Sequence, residues 1–486
     1  MNPAPHDDPR PMLIGGQWTS AEANVFDSIN PASGERNYRI AGAGSGHVEL
    51  AVAAARAAQA EPAWRDMLPH RRAALLMRIA DGMEANAGLL ADAQRLENGK
   101  VVAECRSQVA SAAATFRYYA AVCETQGEDV TPSRGAYLSM AIHEPHGVVA
   151  AITPWNSPLT MEAQKVAPAL AAGNAVILKP SEVTPTPALE LGRIALEAGL
   201  APGLLNVLPG FGAEAGAPLV AHPGVDMVSF TGGTGSGRRI AELAARKLMP
   251  VALELGGKSP HIVFADADLD AAADAIIGGS FEGSGQSCVA GSRLFVERPI
   301  HDAFVARIVE RARALRVDLP DAPGAQMGPI ASFGHRERIE AMVGFARERG
   351  VEVLCGGGRP EDPRLATGAF YLPTVLAPTD PADPIVREEI FGPVLCALPF
   401  DGEADLVAQA NDSVYGLAAG IWTRDFPRAW RVARALAAGT VWINTYKQLS
   451  ISTPFGGFKD SGLGREKGIG GMRLYQQAKS IYIATR

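Results

Sequence analysis

The sequence predicts an α/β fold built from parallel βαβ units, and three observations carry that prediction. From residue 147 onward, short apolar runs alternate with amphipathic stretches. The residues with chemical potential fall at the carboxyl ends of those runs, where open α/β sheets bind their ligands. With 486 residues the chain is also too long for one hydrophobic core, so two or more domains are expected.

The elements follow in order. Residues 47–60, 70–95 and 102–122 read as Ala-rich amphipathic helices, and 126–142 as a β-excursion leading into the sheet. Strands at 148–152, 175–178, 204–208, 227–230 and 251–255 interleave with helices at 162–172, 187–198 and 235–247. A second α/β stretch, about 259–444, contains elements at 262–264, 271–277, 301–314, 336–348, 351–354 and 406–410. Near the C-terminus, Ile481-Tyr482-Ile483 is a β-prone run that can pair with another chain at an exposed edge. No fixed-period repeat or low-complexity linker interrupts the pattern.

Composition narrows the function classes. At 47% hydrophobic and 20% charged the chain reads as globular. A net charge of −7 gives no reason to expect nucleic acid or an anionic membrane as partner. The polar N-terminus, Met1-Asn-Pro-Ala-Pro-His-Asp-Asp, lacks a charged-then-apolar targeting pattern, so the expectation is cytoplasmic. Cys105, Cys123, Cys288, Cys355 and Cys396 lie far apart, with no C-x-x-C and no metal-like Cys/His cluster. One reactive thiol among four structural ones, in a reducing compartment and without a metal, fits that spacing.

Cys288 is the candidate nucleophile. It sits in Phe281-Glu-Gly-Ser-Gly-Gln-Ser-Cys288, where glycines let backbone and ligand approach closely. Upstream lies Glu254, in Leu253-Glu-Leu-Gly-Gly-Lys258, a carboxylate able to activate a thiol or a water. The glycines of Thr231-Gly-Gly-Thr-Gly-Ser-Gly237 follow a strand and open a helix, a place for a phosphate, although their spacing is not G-x-G-x-x-G. Singly, each has a plainer reading: a buried structural thiol, a strand-end carboxylate, a turn.

Together these residues resemble the aldehyde dehydrogenase superfamily. The resemblance runs from Leu13-Ile-Gly-Gly-Gln-Trp18 and Asn30-Pro-Ala-Ser-Gly34 through Thr153-Pro-Trp-Asn156, Lys179-Pro-Ser-Glu182 and Phe230-Thr-Gly-Gly-Thr234. It continues through the Glu254 motif, Gly285-Gln-Ser-Cys288 and Glu388-Glu-Ile-Phe-Gly-Pro393 to Pro454-Phe-Gly-Gly-Phe-Lys-Asp-Ser-Gly462. It implies an aldehyde dehydrogenase-like fold in three parts. These are a Rossmann-like dinucleotide-binding domain over 1–123 and 147–256, a catalytic α/β domain over 257–466, and a small β-flap over 124–146 and 467–486. The flap implies a homodimer or homotetramer.

The resemblance assigns roles. Cys288 attacks a small-molecule aldehyde to form a thiohemiacetal, with Asn156 and the Cys288 amide holding the oxyanion. Glu254 activates the water that hydrolyses the later thioester. Lys179 belongs to the catalytic set and, with Ser181 and Glu182, to the adenosine ribose site. Ile152, Thr153, Pro154 and Trp155 line the cofactor cleft, and Gly232 and Gly233 meet the pyrophosphate. Leu255, Glu389 and Phe391 surround the nicotinamide ribose and ring. Glu182 repels a 2′-phosphate, which favours NAD over NADP.

Two departures loosen the phosphate turn: Gly233 replaces a frequent Ser, and Gly235 a bulkier residue. The substrate pocket departs further. Ser157 follows Asn156 where an aromatic is frequent, with Thr160, Met161 and Gln164 beyond it. Ser287 and Val289 flank the nucleophile, Leu449 replaces an aromatic on the far wall, and Phe455 closes it. The expected substrate is therefore a bulky polar or aromatic aldehyde. The alternative is a semialdehyde whose carboxylate meets Lys447, a residue that otherwise reads as a solvated rim charge. Two rivals are a CoA-acylating enzyme, against which Glu254 argues, and a non-catalytic cofactor-binding relative.

Overall fold

The computed structural model describes residues 8–21 and 24–486. The extreme N-terminal segment, on which the targeting expectation rests, lies outside the described residues. Two large sheets dominate. The first has eight strands, ordered Gln17–Thr19, Met12–Ile14, Leu205–Val207, Ala175–Lys179, Val148–Ile152, Met227–Thr231, Val251–Glu254 and Gly462–Leu463. Its five central strands are parallel, and an antiparallel strand closes each side. Val148–Ile152 and Ala175–Lys179 are buried at every position, as continuous apolar runs covered on both faces must be.

Strand order reverses beside Val148–Ile152. The chain moves outward through Ala175–Lys179 and Leu205–Val207, then returns to place Met227–Thr231 on the other side. The carboxyl ends of Val148–Ile152 and Met227–Thr231 therefore flank a topological switch point, where such sheets open a crevice. The second sheet has seven strands, ordered Glu352–Cys355, Thr374–Ala377, Val394–Phe400, Arg293–Glu297, Pro260–Val263, Ala418–Trp422 and Thr440–Ile443. It is parallel except at Glu352–Cys355. One core packs around the first sheet and two others form on the second.

A small antiparallel sheet joins Gln476–Ala484, Tyr137–Pro145 and Asp129–Thr131. The C-terminal strand, expected to seek another chain, pairs with Tyr137–Pro145 of its own chain from Gln476↔Pro145 to Ala484↔Tyr137. It forms the edge of that sheet, with Tyr482 and Ile483 exposed. Among the described residues no helix is long and apolar enough to cross a membrane.

The helix expected over 70–95 is two helices, Pro69–Ala85 and Ala87–Asn98. Asn86 breaks it: its side-chain amide donates to the Gly82 carbonyl at 2.8 Å, while its oxygen accepts from Arg193. An Asn side chain that competes for backbone partners ends a helix in this way. The helix expected over 162–172 begins earlier, at Pro158, because proline suits a first turn whose N–H has no partner. The strand pairs Met12–Ile14/Gln17–Thr19 and Val25–Ile29/Arg36–Ala41 lie in a region not read as strand, being too short to show a period.

Candidate active site

A cavity of about 800 Å³ opens at the switch point and runs between the two sheets. One end is an open, glycine-lined cradle. Met227–Thr231 ends at Gly232-Gly233, and the helix Thr234–Ala245 begins at once. A Cβ on Gly233 or Gly235 would meet nothing within 4 Å, so the turn leaves open space beside the helix N-terminus. The first backbone N–H groups there have no intrahelical acceptor and face the cavity with the positive end of the helix dipole.

The middle of the cavity carries Cys288. The chain reaches it through three consecutive left-handed residues, Gly283 (φ 64°), Ser284 (φ 58°) and Gly285 (φ 67°). A left-handed serine is strained, and packing must hold it. The Ser284 hydroxyl donates to Gly328 O at 2.8 Å, and a Cβ on Gly285 would lie 2.3 Å from Gly392 O. Gln286 is pinned by its own side chain to Gly283 O and the Ala331 amide. On the far side, Tyr446 donates to Val289 O at 3.0 Å. Cys288 is half-buried, and the other four cysteines are buried and unpaired. Burial pushes its thiol up to about 12, helped by the Glu389 and Glu254 carboxylates and opposed by Lys467 and the Val289 amide.

Asn156 arrives from the end of Val148–Ile152. Its Nδ2 donates one hydrogen to Gln286 O at 2.9 Å, which leaves the second free. The Cys288 amide makes no hydrogen bond among the described residues. Glu254 ends Val251–Glu254, is buried, and has one oxygen without a partner. Burial, then the nearby Glu466, raises it well above the carboxylate range. Glu466 accepts from Lys165 at 2.6 Å and from Gln164. Lys165 also reaches Ser229, which accepts from Tyr475 at 2.9 Å, so a buried chain of polar groups runs inward from Glu466.

Glu389 accepts from the Gly257 amide at 2.9 Å, and burial lifts its carboxyl to about 7. Glycine is required on that stretch: a Cβ on Gly256 would lie 2.2 Å from Glu389, and one on Gly257 2.5 Å from Cys288 O. Phe391 (φ 57°) stands edge-on to Trp155 at 5.3 Å, and His335 contacts both.

The residues expected at the site separate into two groups. Pro154, Trp155, Asn156, Gly232, Gly233, Glu254, Leu255, Cys288, Glu389 and Phe391 line the cavity. So do Ser157, Thr160, Met161, Gln164, Ser287, Val289, Leu449 and Phe455. Ile152, Thr153, Lys179, Ser181 and Glu182 do not. Ile152 and Thr153 are buried beneath it, and Thr153 N bonds Lys179 O. The ammonium of Lys179 donates to Pro180 O at 2.7 Å and lies 3.9 Å from Glu182, one strand away from Cys288's chamber. Its ammonium stands beside Glu182, off the cavity lining.

Lys447 is not in the cavity lining either: it lies 3.4 Å from both Glu282 and Gly278 O. The lining also includes residues that the motifs did not reveal. Ser107, Gln108, Ser111 and Thr115 present one face of the helix Val102–Thr125, a spacing readable in the sequence once that face is known to be internal. Gln108 donates to Ser157, and Thr160 to Gln108 O. Lys467, Ile451 and Glu466 come from the C-terminal loops.

The family model for the aldehyde dehydrogenase family matches residues 18–481. The chain belongs to that family. The dehydrogenase is 44% identical to betaine aldehyde dehydrogenase of Mesorhizobium japonicum, over 97% of this chain and 96% of the relative. It is 40% identical to (Z)-2-((N-methylformamido)methylene)-5-hydroxybutyrolactone dehydrogenase of Acinetobacter baylyi, over 97% and 96%. Its fold matches betaine aldehyde dehydrogenase of Staphylococcus aureus in complex with NAD+, at a TM-score of 0.96 and 36% identity, over 98% of this chain and 95% of that one.

Proposed function

We propose that the protein oxidises a polar, non-cationic aldehyde to its carboxylic acid with NAD, by way of a thioester on Cys288. The observation that carries this reading is the meeting of Cys288, Glu254 and Asn156 around one cavity whose other end is an open, glycine-lined helix N-terminus.

That cradle fits a pyrophosphate, and Glu389 and Phe391 stand between it and Cys288. Lys179 and Glu182 take the adenosine ribose, with Glu182 disfavouring a 2′-phosphate. NAD, when bound, supplies the hydride acceptor. Cys288, protonated at rest, gives its proton to solvent water and adds as the thiolate to the carbonyl carbon. The second Asn156 hydrogen and the Cys288 amide receive the oxyanion. After hydride loss the carbonyl is held as a thioester. Glu254, in its ionised form, then takes a proton from water, which attacks the carbonyl carbon, and returns it to the departing Cys288 sulfur, releasing the acid and the thiol. In this scheme the first sheet receives the cofactor, the second carries the thiol, and the small sheet pairs with a second copy.

The substrate limb supports a polar aldehyde. Ser107, Gln108, Ser111, Thr115, Ser157 and Thr160 give it a wall of hydroxyls and an amide. Aromatic faces are scarce there, which weakens the aromatic half of the expectation. Betaine aldehyde is the second reading, favoured by the names of relatives. Against it stands the lining: a trimethylammonium group is held by aromatic faces, and here the Phe455 ring already lies 5.3 Å from the Lys467 ammonium.

The test is NADH formation by purified protein with butanal, benzaldehyde, a hydroxylated aldehyde and betaine aldehyde, with NADP in parallel. The highest kcat/KM is expected for the hydroxylated aldehyde. A clear preference for betaine aldehyde would replace this reading with the second.

A further inference from the structure

Resting on the reading of this cavity as the aldehyde site, we infer that Lys467 is a specificity-determining residue that binds a carboxylate on the aldehyde substrate.

Four observations converge on it. Lys467 lines the cavity on the same side as Leu449, Ile451 and Phe455, away from the phosphate cradle. Its backbone is held in place: Lys467 has φ 62°, Gly468 N bonds Ile451 O at 2.8 Å, and Glu466 and Phe455 exchange two backbone bonds at 2.8 Å. A non-glycine residue in that conformation persists where its surroundings fix it. Its ammonium lies over the Phe455 ring.

Fourth, that ammonium has no ion pair or hydrogen bond among the described residues, although Lys467 is half-buried. The neighbouring carboxyls do not supply one. Glu466 is committed to Lys165 and Gln164, and burial disfavours the ionised form of Glu254. A half-buried cation without a partner is open to an incoming carboxylate, with which it makes a charge-assisted hydrogen bond. The other cations on the cavity, Arg239 and Arg338, sit on the helices Thr234–Ala245 and Phe333–Glu348, at the dinucleotide end. Lys447, the cation first suspected of this role, is engaged with Glu282 outside the cavity. The substrate class is therefore a short aldehyde acid, with its formyl carbon at Cys288 and its carboxylate at Lys467.

The experiment compares kcat/KM for succinate semialdehyde and for butanal in the wild type, Lys467→Met and Lys467→Arg. Both substrates meet Cys288 and Glu254 alike, so their ratio cancels any effect of the substitutions on the chemical steps or on the folded fraction. The wild type is expected to favour the semialdehyde by at least about tenfold, the scale of one charge-assisted contact. Lys467→Met brings that ratio near one, and Lys467→Arg retains most of it. Butanal oxidised as well as the semialdehyde by the wild type, or a ratio unmoved in Lys467→Met, overturns the role of Lys467 and leaves the proposed reaction standing. No NADH from any aldehyde overturns the reading on which it rests.

Discussion

The side-chain amide of Asn156 donates to the carbonyl of Gln286 at 2.9 Å. This bond ties the strand end of the first sheet to the nucleophile loop, which leads into the second. It leaves the second Nδ2 hydrogen of Asn156 without a partner among the described residues, in the cavity that Cys288 also lines. Asn156→Ala is expected to lower kcat by roughly 10²–10³, as loss of one oxyanion donor does. The accompanying loss of stability should be only about 1 kcal/mol, one hydrogen bond. Rates with a saturating aldehyde and a urea unfolding curve check both, and a large unfolding shift with intact kcat would contradict the role.

Gly257 carries a steric prediction. A Cβ there would lie 2.5 Å from the carbonyl oxygen of Cys288, which is backbone and cannot swing away. Gly257→Ala should displace the nucleophile and cost about 1–3 kcal/mol, as overpacking does. Gly358, where a Cβ meets nothing within 4 Å, is the control. Gly358→Ala should melt and turn over as the wild type does.

The state of Cys288 fixes a pH dependence. Burial first, then Glu389 and Glu254, pushes its thiol up to about 12. The protonated thiol is therefore the resting form at neutral pH, and the reactive thiolate grows as pH rises. Alkylation of Cys288 by iodoacetamide in the cofactor-free protein should climb continuously from pH 7 to about pH 10. A plateau reached below pH 8 would show a thiolate already formed.

On the proposed reading, Glu182 sets the cofactor preference. Its carboxylate stands 3.9 Å from the Lys179 ammonium, and more than a third of its side chain is open to solvent. Glu182→Gln removes a negative charge from the place a 2′-phosphate would occupy and leaves Lys179 unopposed. The NAD-to-NADP ratio of kcat/KM should fall by about tenfold, or 1.4 kcal/mol. An unchanged ratio would place the adenosine ribose elsewhere.

The parts of the site that could be read in the sequence are those where chemistry and strand ends coincide. Asn156, Glu254 and the Gly232-Gly233 turn each follow a short apolar run, and a parallel sheet must collect such ends on one edge. Cys288 was legible from its glycines. The rest depends on which faces pack together. Ser107, Gln108, Ser111 and Thr115 read as one polar face of a helix, and only the docking of that helix over the switch point makes the face a pocket wall. Lys467 and Lys447 are both lysines near C-terminal loops, with nothing local to separate them. Tertiary contact turns one into the cavity and pairs the other with Glu282. The Asn86 break was visible as a residue and hidden as an event, because its partners Gly82 and Arg193 belong to different helices.

In the proposed reaction, water that Glu254 activates releases a thioester from Cys288. Rapid mixing of Glu254→Gln with NAD and excess aldehyde isolates that step. A burst of one NADH per active site followed by a near-zero steady rate is the predicted result, with the acyl group recoverable on Cys288 by mass spectrometry. Steady turnover close to the wild-type rate, with no acyl-enzyme accumulating, would contradict it.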